Sequence, residues 1–153
     1  MTDATTEGKL LVGLQFTLLV AIVLAPRAVS IRVPGLAYVT GYALFLAGLV
    51  VVVLGLRALG SSLTANPVPL ASGTLVTTGL YSRVRHPIYA GLLLATFGMA
   101  LDSWNPIRGV LWLLLAALLT YKMRFEEGLL VAKYPGYRDY AARVPALVPR
   151  LRG

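Results

Sequence analysis

From Leu36 to Leu56 the chain carries no charged residue. About twenty apolar residues in a row make a helix long enough to cross the hydrocarbon of a bilayer. In lipid every backbone amide must be satisfied within its own segment, so a helix is the form such a run takes. Three further runs are predominantly apolar: Leu10–Ala25, Ile88–Trp104, which holds Asp102 near its end, and Ile107–Lys122, with Arg108 and Lys122 at its ends. The first is short, with Lys9 and Arg27 able to snorkel at its ends. Hydrophobic residues make up 58% of the 153 and charged ones only 13%, about half the charged share of a soluble domain. The expected fold is all-α: a polytopic membrane protein of one domain over residues 1–153. It has four transmembrane helices, the third short, and a helical C-terminal tail on the cytoplasmic side.

Composition removes several functions. There is no cysteine, hence no disulfide, thiolate metal site or cysteine nucleophile. One histidine and six carboxylates leave little for a metal cluster, and no metal is expected. The net charge of +8 does not point to nucleic acid, because the basic residues lie at span ends and in the tail. Membrane lipids are the expected surroundings; oligomeric state is unreadable. With four spans and both termini inside, eleven of the fourteen Lys and Arg fall on the inner side. Only Arg27, Arg32 and Arg108 fall outside, so the positive-inside rule sets both termini and the loop Arg57–Arg85 in the cytoplasm. Asp3 and Glu7 precede the first apolar run and Pro26-Arg27 follows it, which does not fit a cleavable signal.

Small residues mark where helices approach. Gly41, Gly48 and Gly55 recur every seven residues on one face of the second span, and Gly91, Ala95 and Gly98 form a stripe on the third. The glycine face would also permit a dimer. Between these spans, residues 57–85 are rich in Gly, Ser, Thr, Asn and Pro, and a loop this long is usually functional. Met1–Gly8 reads as polar and frayed. Asn105-Pro106 is a cap and first-turn proline opening a fourth helix with no strong breaker before Tyr134-Pro135.

Chemistry concentrates at Gly79-Leu80-Tyr81-Ser82-Arg83-Val84-Arg85-His86-Pro87-Ile88-Tyr89-Ala90-Gly91. Pro87 suits the first position of a helix, which puts His86 at its cap. The free N–H groups and partial positive charge of that helix start, beside Arg83 and Arg85, predict an anion site for a carboxylate or phosphate. Charges gather again at Arg124-Phe125-Glu126-Glu127, where Arg124 is spaced to pair with Glu127. In the tail, Tyr137, Tyr140, Ala141 and Val144 share one helix face and Arg138, Asp139 and Arg143 the other. Such a helix can lie on the headgroups of a membrane.

The first stretch resembles the Arg-His-Pro-x-Tyr-x-Gly signature of the isoprenylcysteine carboxyl methyltransferase family, which is related to the phospholipid methyltransferases. Glu126-Glu127-x-x-Leu130, then Tyr134-Pro-Gly-Tyr137-x-x-Tyr140, then Pro145 and Pro149, is similar to the end of the same family. The resemblance covers about Leu75 to Leu151, and the first two spans match only as generic membrane helices. It implies an integral-membrane methyltransferase using S-adenosylmethionine, with S-adenosylhomocysteine as product and a lipophilic acceptor from the bilayer.

On that reading residues 57–91 form the catalytic loop and motif core, and 122–153 the cofactor-binding tail, which the resemblance implies folds back to lid the cofactor, a reading that can hold together with a helix on the headgroups. Arg83, Arg85, His86 and Pro87 receive the cofactor's carboxylate end. Glu126 or Glu127 takes its ammonium or ribose, and Tyr134 and Tyr137 wall its adenine. Tyr89, one turn on from His86, faces the methyl, and His86, Tyr89 and Arg85 are the catalytic candidates. Two other classes fit less well: a related NADPH-dependent membrane reductase, and a small four-helix transporter, which normally needs an acid inside a span. The Ala, Leu, Val and Arg content suits a GC-rich bacterium, so the expected location is a bacterial plasma membrane.

Overall fold

The computed structural model describes residues 3–26, 33–64, 66–69 and 72–150, and all regular structure among them is helical. Five α-helices follow in order: α1 Ala4–Leu24, α2 Gly35–Leu59, α3 Pro87–Ser103, α4 Pro106–Lys133 and α5 Tyr137–Arg143. Two single 3-10 turns, Gly60–Ser62 and Gly79–Ser82, punctuate the connection from α2 to α3. Three helices, α1, α2 with its trailing turn, and α4, are long and apolar enough to cross a membrane. The expectation of four spans therefore meets three long helices and a shorter one. α3 has 17 residues, about 25 Å of helix, slightly under the usual crossing length. Residues 27–32, with Arg27 and Arg32, lie outside the described residues, as do Met1, Thr2 and the chain from Leu151 onward.

The two small-residue rows predict which helices meet. A Cβ on Gly48 would stand 2.4 Å from the Ala95 nitrogen and 2.6 Å from the Gly91 oxygen. One on Gly98 would stand 2.4 Å from the Gly41 oxygen. The backbones of α2 and α3 thus touch directly, and no other residue fits between them. The glycine face of α2, which would have permitted a dimer, is used within the chain by α3.

α1 is tied to α4 at both of its own ends. At one end the Tyr121 hydroxyl donates to Glu7 at 2.7 Å. The segment expected to be frayed is therefore helical from Ala4. At the other end the Arg108 guanidinium donates from Nη2 to the Ala25 carbonyl at 2.6 Å and lies 3.8 Å from Asp102. Arg108 is buried, so this charge, expected to flank a loop, is a clamp between helices. Asn105 caps α4 through the Ile107 N–H at 2.8 Å, and α4 then runs unbroken to Lys133. An apolar cluster of Ile22, Leu115 and Leu119 fills the space between α1 and α4.

Candidate functional site

The end of the bundle that holds Glu7 and Tyr121 also gathers the loop before α3, the last turns of α4, and α5. His86 is the N-cap residue of α3 and Pro87 its first residue, as the sequence predicts. The His86 side chain does not cap the helix. It turns to α4, where Nε2 donates to Glu127 Oε1 at 3.0 Å. The same oxygen accepts from Arg85 Nε at 2.8 Å and lies 2.8 Å from Arg85 Nη2. Arg85 Nη1 donates to the carbonyls of Ala141, at 2.9 Å, and Val144. One guanidinium therefore ties the α3 loop, α4 and the end of α5 together. Glu127 pairs here rather than with Arg124, which is exposed.

Backbone bonds reinforce the tie. The N–H groups of Arg85 and His86 donate to the Pro145 and Ala146 carbonyls at 2.9 and 3.0 Å. These two donors at and just ahead of the helix cap are taken by the tail. Tyr140 donates to the Tyr81 carbonyl at 2.5 Å, and Tyr134 to the Gly73 carbonyl at 2.6 Å. The buried face of α5, Tyr137 and Tyr140 with Val144 beyond it, packs on Leu75, Leu130 and Tyr134. Of the two readings of the tail, its apolar face is turned onto the chain itself.

Tyr89 lies on the face of α3 that carries His86, as predicted. The two rings stack at 5.4 Å with an angle of 1° between planes. The Tyr89 hydroxyl donates to Glu126 Oε2 at 2.7 Å, and Glu126 Oε2 stands 4.0 Å from His86 Nδ1. Arg85, His86, Tyr89, Glu126 and Glu127 thus form one constellation. Tyr134 and Tyr137 border it, and Pro87 supports it as a buried residue. Arg83 is exposed and lines neither cavity of the site.

Two cavities meet on this constellation. The first, about 100 Å³, lies between the loop of residues 62–76 and the tail, with Tyr134, Tyr137 and Tyr140 on its walls. The Tyr137 hydroxyl is buried there with no hydrogen-bond partner among the described residues. The second, about 440 Å³, runs down between the helices along Phe16, Leu19, Val52, Leu56 and Leu92. Tyr81, Arg85, His86 and Glu126 belong to both. Burial and the nearby Glu126 and Glu127 carboxylates push the Tyr137 hydroxyl above its ordinary range. Burial likewise raises Tyr81, with help from Glu126, and pushes Tyr140 up to about 12. These phenols stay neutral donors at physiological pH.

Four residues of the site escape sequence reasoning. Tyr81 lies inside the motif but carries no spacing signal. Thr64 sits in the loop, whose course is irregular. Gln15 on α1 and Lys122 on α4 are buried and joined by a 2.7 Å hydrogen bond. Gln15 interrupts an apolar run, which is the one signal that would have found it.

A helical membrane bundle with a histidine–glutamate–arginine clamp over paired polar and apolar cavities is the class that fold and site define. The profile of the phospholipid methyltransferase family matches residues 36–136, and the chain belongs to that family; it is an integral membrane protein. It is 38% identical over 81 residues to the cobalt-zinc-cadmium resistance protein of Cupriavidus metallidurans, covering 52% of this chain and 38% of that one. To the mouse protein-S-isoprenylcysteine O-methyltransferase it is 35% identical over 82 residues, 52% and 29% of the two chains. To methanethiol S-methyltransferase 2 of Bradyrhizobium diazoefficiens it is 41% identical over 73 residues, 47% and 27%. The matched stretch spans less than two-fifths of each of these relatives.

Proposed function

We propose that the protein is a membrane-embedded, S-adenosylmethionine-dependent methyltransferase whose lipophilic acceptor enters from the bilayer. The observation that carries this is the meeting of a polar-ended and an apolar cavity on one wall, Tyr81, Arg85, His86 and Glu126. A reaction between a polar cofactor and a greasy acceptor needs such a junction.

The residues of the first cavity fit S-adenosylmethionine in kind. The Tyr137 hydroxyl lacks a partner among the described residues. Glu126 offers a carboxylate to an ammonium or a ribose hydroxyl, while Leu75, Leu130 and the Tyr134 ring give an adenine apolar walls. At about 100 Å³ the cavity is too small for the whole cofactor, so loading opens the loop that Tyr134 latches through Gly73. When bound, the cofactor would supply an electrophilic methyl on its sulfonium sulfur: an acceptor lone pair would bond to that carbon as the C–S electron pair returned to sulfur, with S-adenosylhomocysteine as the leaving group.

The chain's own residues hold and orient. Glu127 fixes the His86 ring through Nε2, and the stacked Tyr89 ring keeps it in plane. Arg85 neutralises Glu127 and holds the tail shut against water. His86 and Tyr89 line the junction toward the methyl. A near-attack geometry held at about 3 Å accounts for most of the rate in a displacement of this kind. An ionised acceptor needs no base; for a protic one, Glu126 is the carboxylate at the junction.

The same proposal sets the chain, multi-pass, in a bacterial plasma membrane. α3 crosses beside α2, and the termini, loop and tail face the cytoplasm. The charge distribution supports it, and so does the gathering of Glu7, the loop and α5 at one end. Calorimetry of the purified protein with S-adenosylhomocysteine is the test. The parent binds, and His86→Ala binds about ten- to a hundred-fold more weakly if a hydrogen bond with a charged partner is lost. A parent that binds NADPH and no S-adenosylhomocysteine belongs to the reductase class instead.

A further inference from the structure

The profile match begins at residue 36, so α1 lies outside it, yet α1 reaches the site through one polar side chain. Gln15 is 7% exposed and Lys122 2%. Lys122 Nζ donates to Gln15 Oε1 at 2.7 Å and stands 5.4 Å from the centre of the Tyr89 ring. At that range a cation is attracted to a ring face, and burial strengthens the attraction. The same ring stacks on His86, and its hydroxyl donates to Glu126, one turn beyond Lys122 on α4. A chain of contacts thus runs from α1 to the junction: Gln15, Lys122, Tyr89, then His86 and Glu126.

The docking of α1 does not account for the pair. α1 is already held to α4 by the Tyr121–Glu7 and Arg108–Ala25 hydrogen bonds and by the apolar cluster of Ile22, Leu115 and Leu119. A buried amide and a buried ammonium both give up their hydration, and apolar side chains of similar volume hold two helices together as well or better. What the polar pair adds is a charge at a fixed place. That place is the wall of the larger cavity, where Gln15, Tyr89, Lys122 and Glu126 all lie.

We infer that Gln15 is a positioning residue of the site: it fixes the Lys122 ammonium over Tyr89. That charge in turn holds the ring in the orientation that stacks on His86 and presents its hydroxyl to Glu126. Gln15 touches neither His86 nor Glu126 and acts on them only through Lys122 and Tyr89. The geometry of the junction therefore depends on the spanning helix that the family profile leaves out. What the junction does rests on the methyltransferase reading above; how its ring is held does not.

The test is fluorine NMR of the full chain in nanodiscs, with its eight tyrosines replaced by 3-fluorotyrosine. The Tyr89 resonance is the one lost in Tyr89→Phe. Gln15→Leu is expected to displace that resonance. Gln15→Glu, which keeps an oxygen within reach of the ammonium, is expected to leave it near the parent position. Lys122→Met is expected to displace it as well, and Gln15→Leu on that background to add no further shift, because effects that run through one residue do not add. An unmoved resonance in Gln15→Leu overturns the inference. So does a Gln15→Glu protein displaced as far as Gln15→Leu, or a Gln15→Leu shift of equal size on both backgrounds. If Gln15→Leu does not fold, Lys122→Met alone decides, and a Tyr89 resonance at the parent position overturns the inference. Calorimetry of the parent with S-adenosylhomocysteine is read separately. A parent that does not bind it overturns the methyltransferase reading and leaves the Tyr89 result to decide the positioning.

Discussion

The α2–α3 seam and the clamp around Glu127 are built in opposite ways. The seam is made by what is missing: at Gly48 and Gly98 there is no side chain, and backbone meets backbone. The clamp is made by long polar side chains reaching across more than forty residues of sequence, from Arg85 and His86 to Glu127. The first tolerates no added atom, because nothing beside it can move except main chain. The second consists of flexible groups, each replaceable at a cost of one or two interactions. The scaffold is therefore brittle and the site adjustable, a division suited to the proposed enzyme, whose site would have to open to load.

The largest expected effect breaks the seam. Gly48→Val is expected to prevent stable folding or to cost about 3–5 kcal/mol, because its Cβ would overlap the Ala95 backbone. Gly13→Ala, on α1 with nothing within 4 Å of the added carbon, is the control and is expected to keep stability or raise it by up to about 1 kcal/mol. Thermal unfolding in detergent by size exclusion distinguishes them, and equal melting temperatures would remove the distinction between the two regions.

A smaller effect is expected at the clamp. Glu127→Gln keeps shape but removes the charge shared by Arg85 and His86, and is expected to lower stability by about 1–3 kcal/mol and weaken S-adenosylhomocysteine binding. Glu126→Gln loses the charge that accepts from Tyr89 and stands 4.0 Å from His86 Nδ1, contacts that do not tie the tail, and is expected to affect binding more than stability. Urea titration alongside calorimetry separates the pair. If both behave alike, the clamp is not organised around Glu127.

The smallest effect sharpens the boundary between clamp and tail. Burial first, and then the balance of Arg85 and Glu127, leaves Tyr140 with a folded pKa of about 12 against 10 when unfolded. A raised value means its contribution is complete below pH 10 and is lost as pH rises through about 12. Stability is expected to fall over that window in the parent, and less steeply in Tyr140→Phe. Identical alkaline slopes in the two proteins would detach Tyr140 from the fold's stability.

The seam was legible beforehand because it is a local pattern. Gly41, Gly48 and Gly55 recur at a helical interval, and so do Gly91, Ala95 and Gly98, and close approach follows from size alone. His86 and Tyr89 stacking was legible for the same reason, since three residues on a helix return to one face. Glu127's partner was not. Local spacing pointed to Arg124, one turn away, and tertiary folding supplied Arg85 instead, in a more buried setting where the pair counts for more. Arg83 and Arg85 looked alike in sequence and separate completely in the structure, one exposed and one enclosed. Only the resemblance in the tail hinted that α5 would return to the α3 loop.

The unbroken course of α4 makes it a ruler. Tyr121 ends its apolar stretch, and Glu126 follows five residues on along the same rod, roughly 7–8 Å higher at the helical rise. On the proposed topology that height falls within the headgroup layer, not in open solvent and not among the acyl tails. Under that proposal, chemistry at Glu126 would occur at a depth where a water-borne molecule and a lipid-dissolved one can each arrive without leaving its own phase.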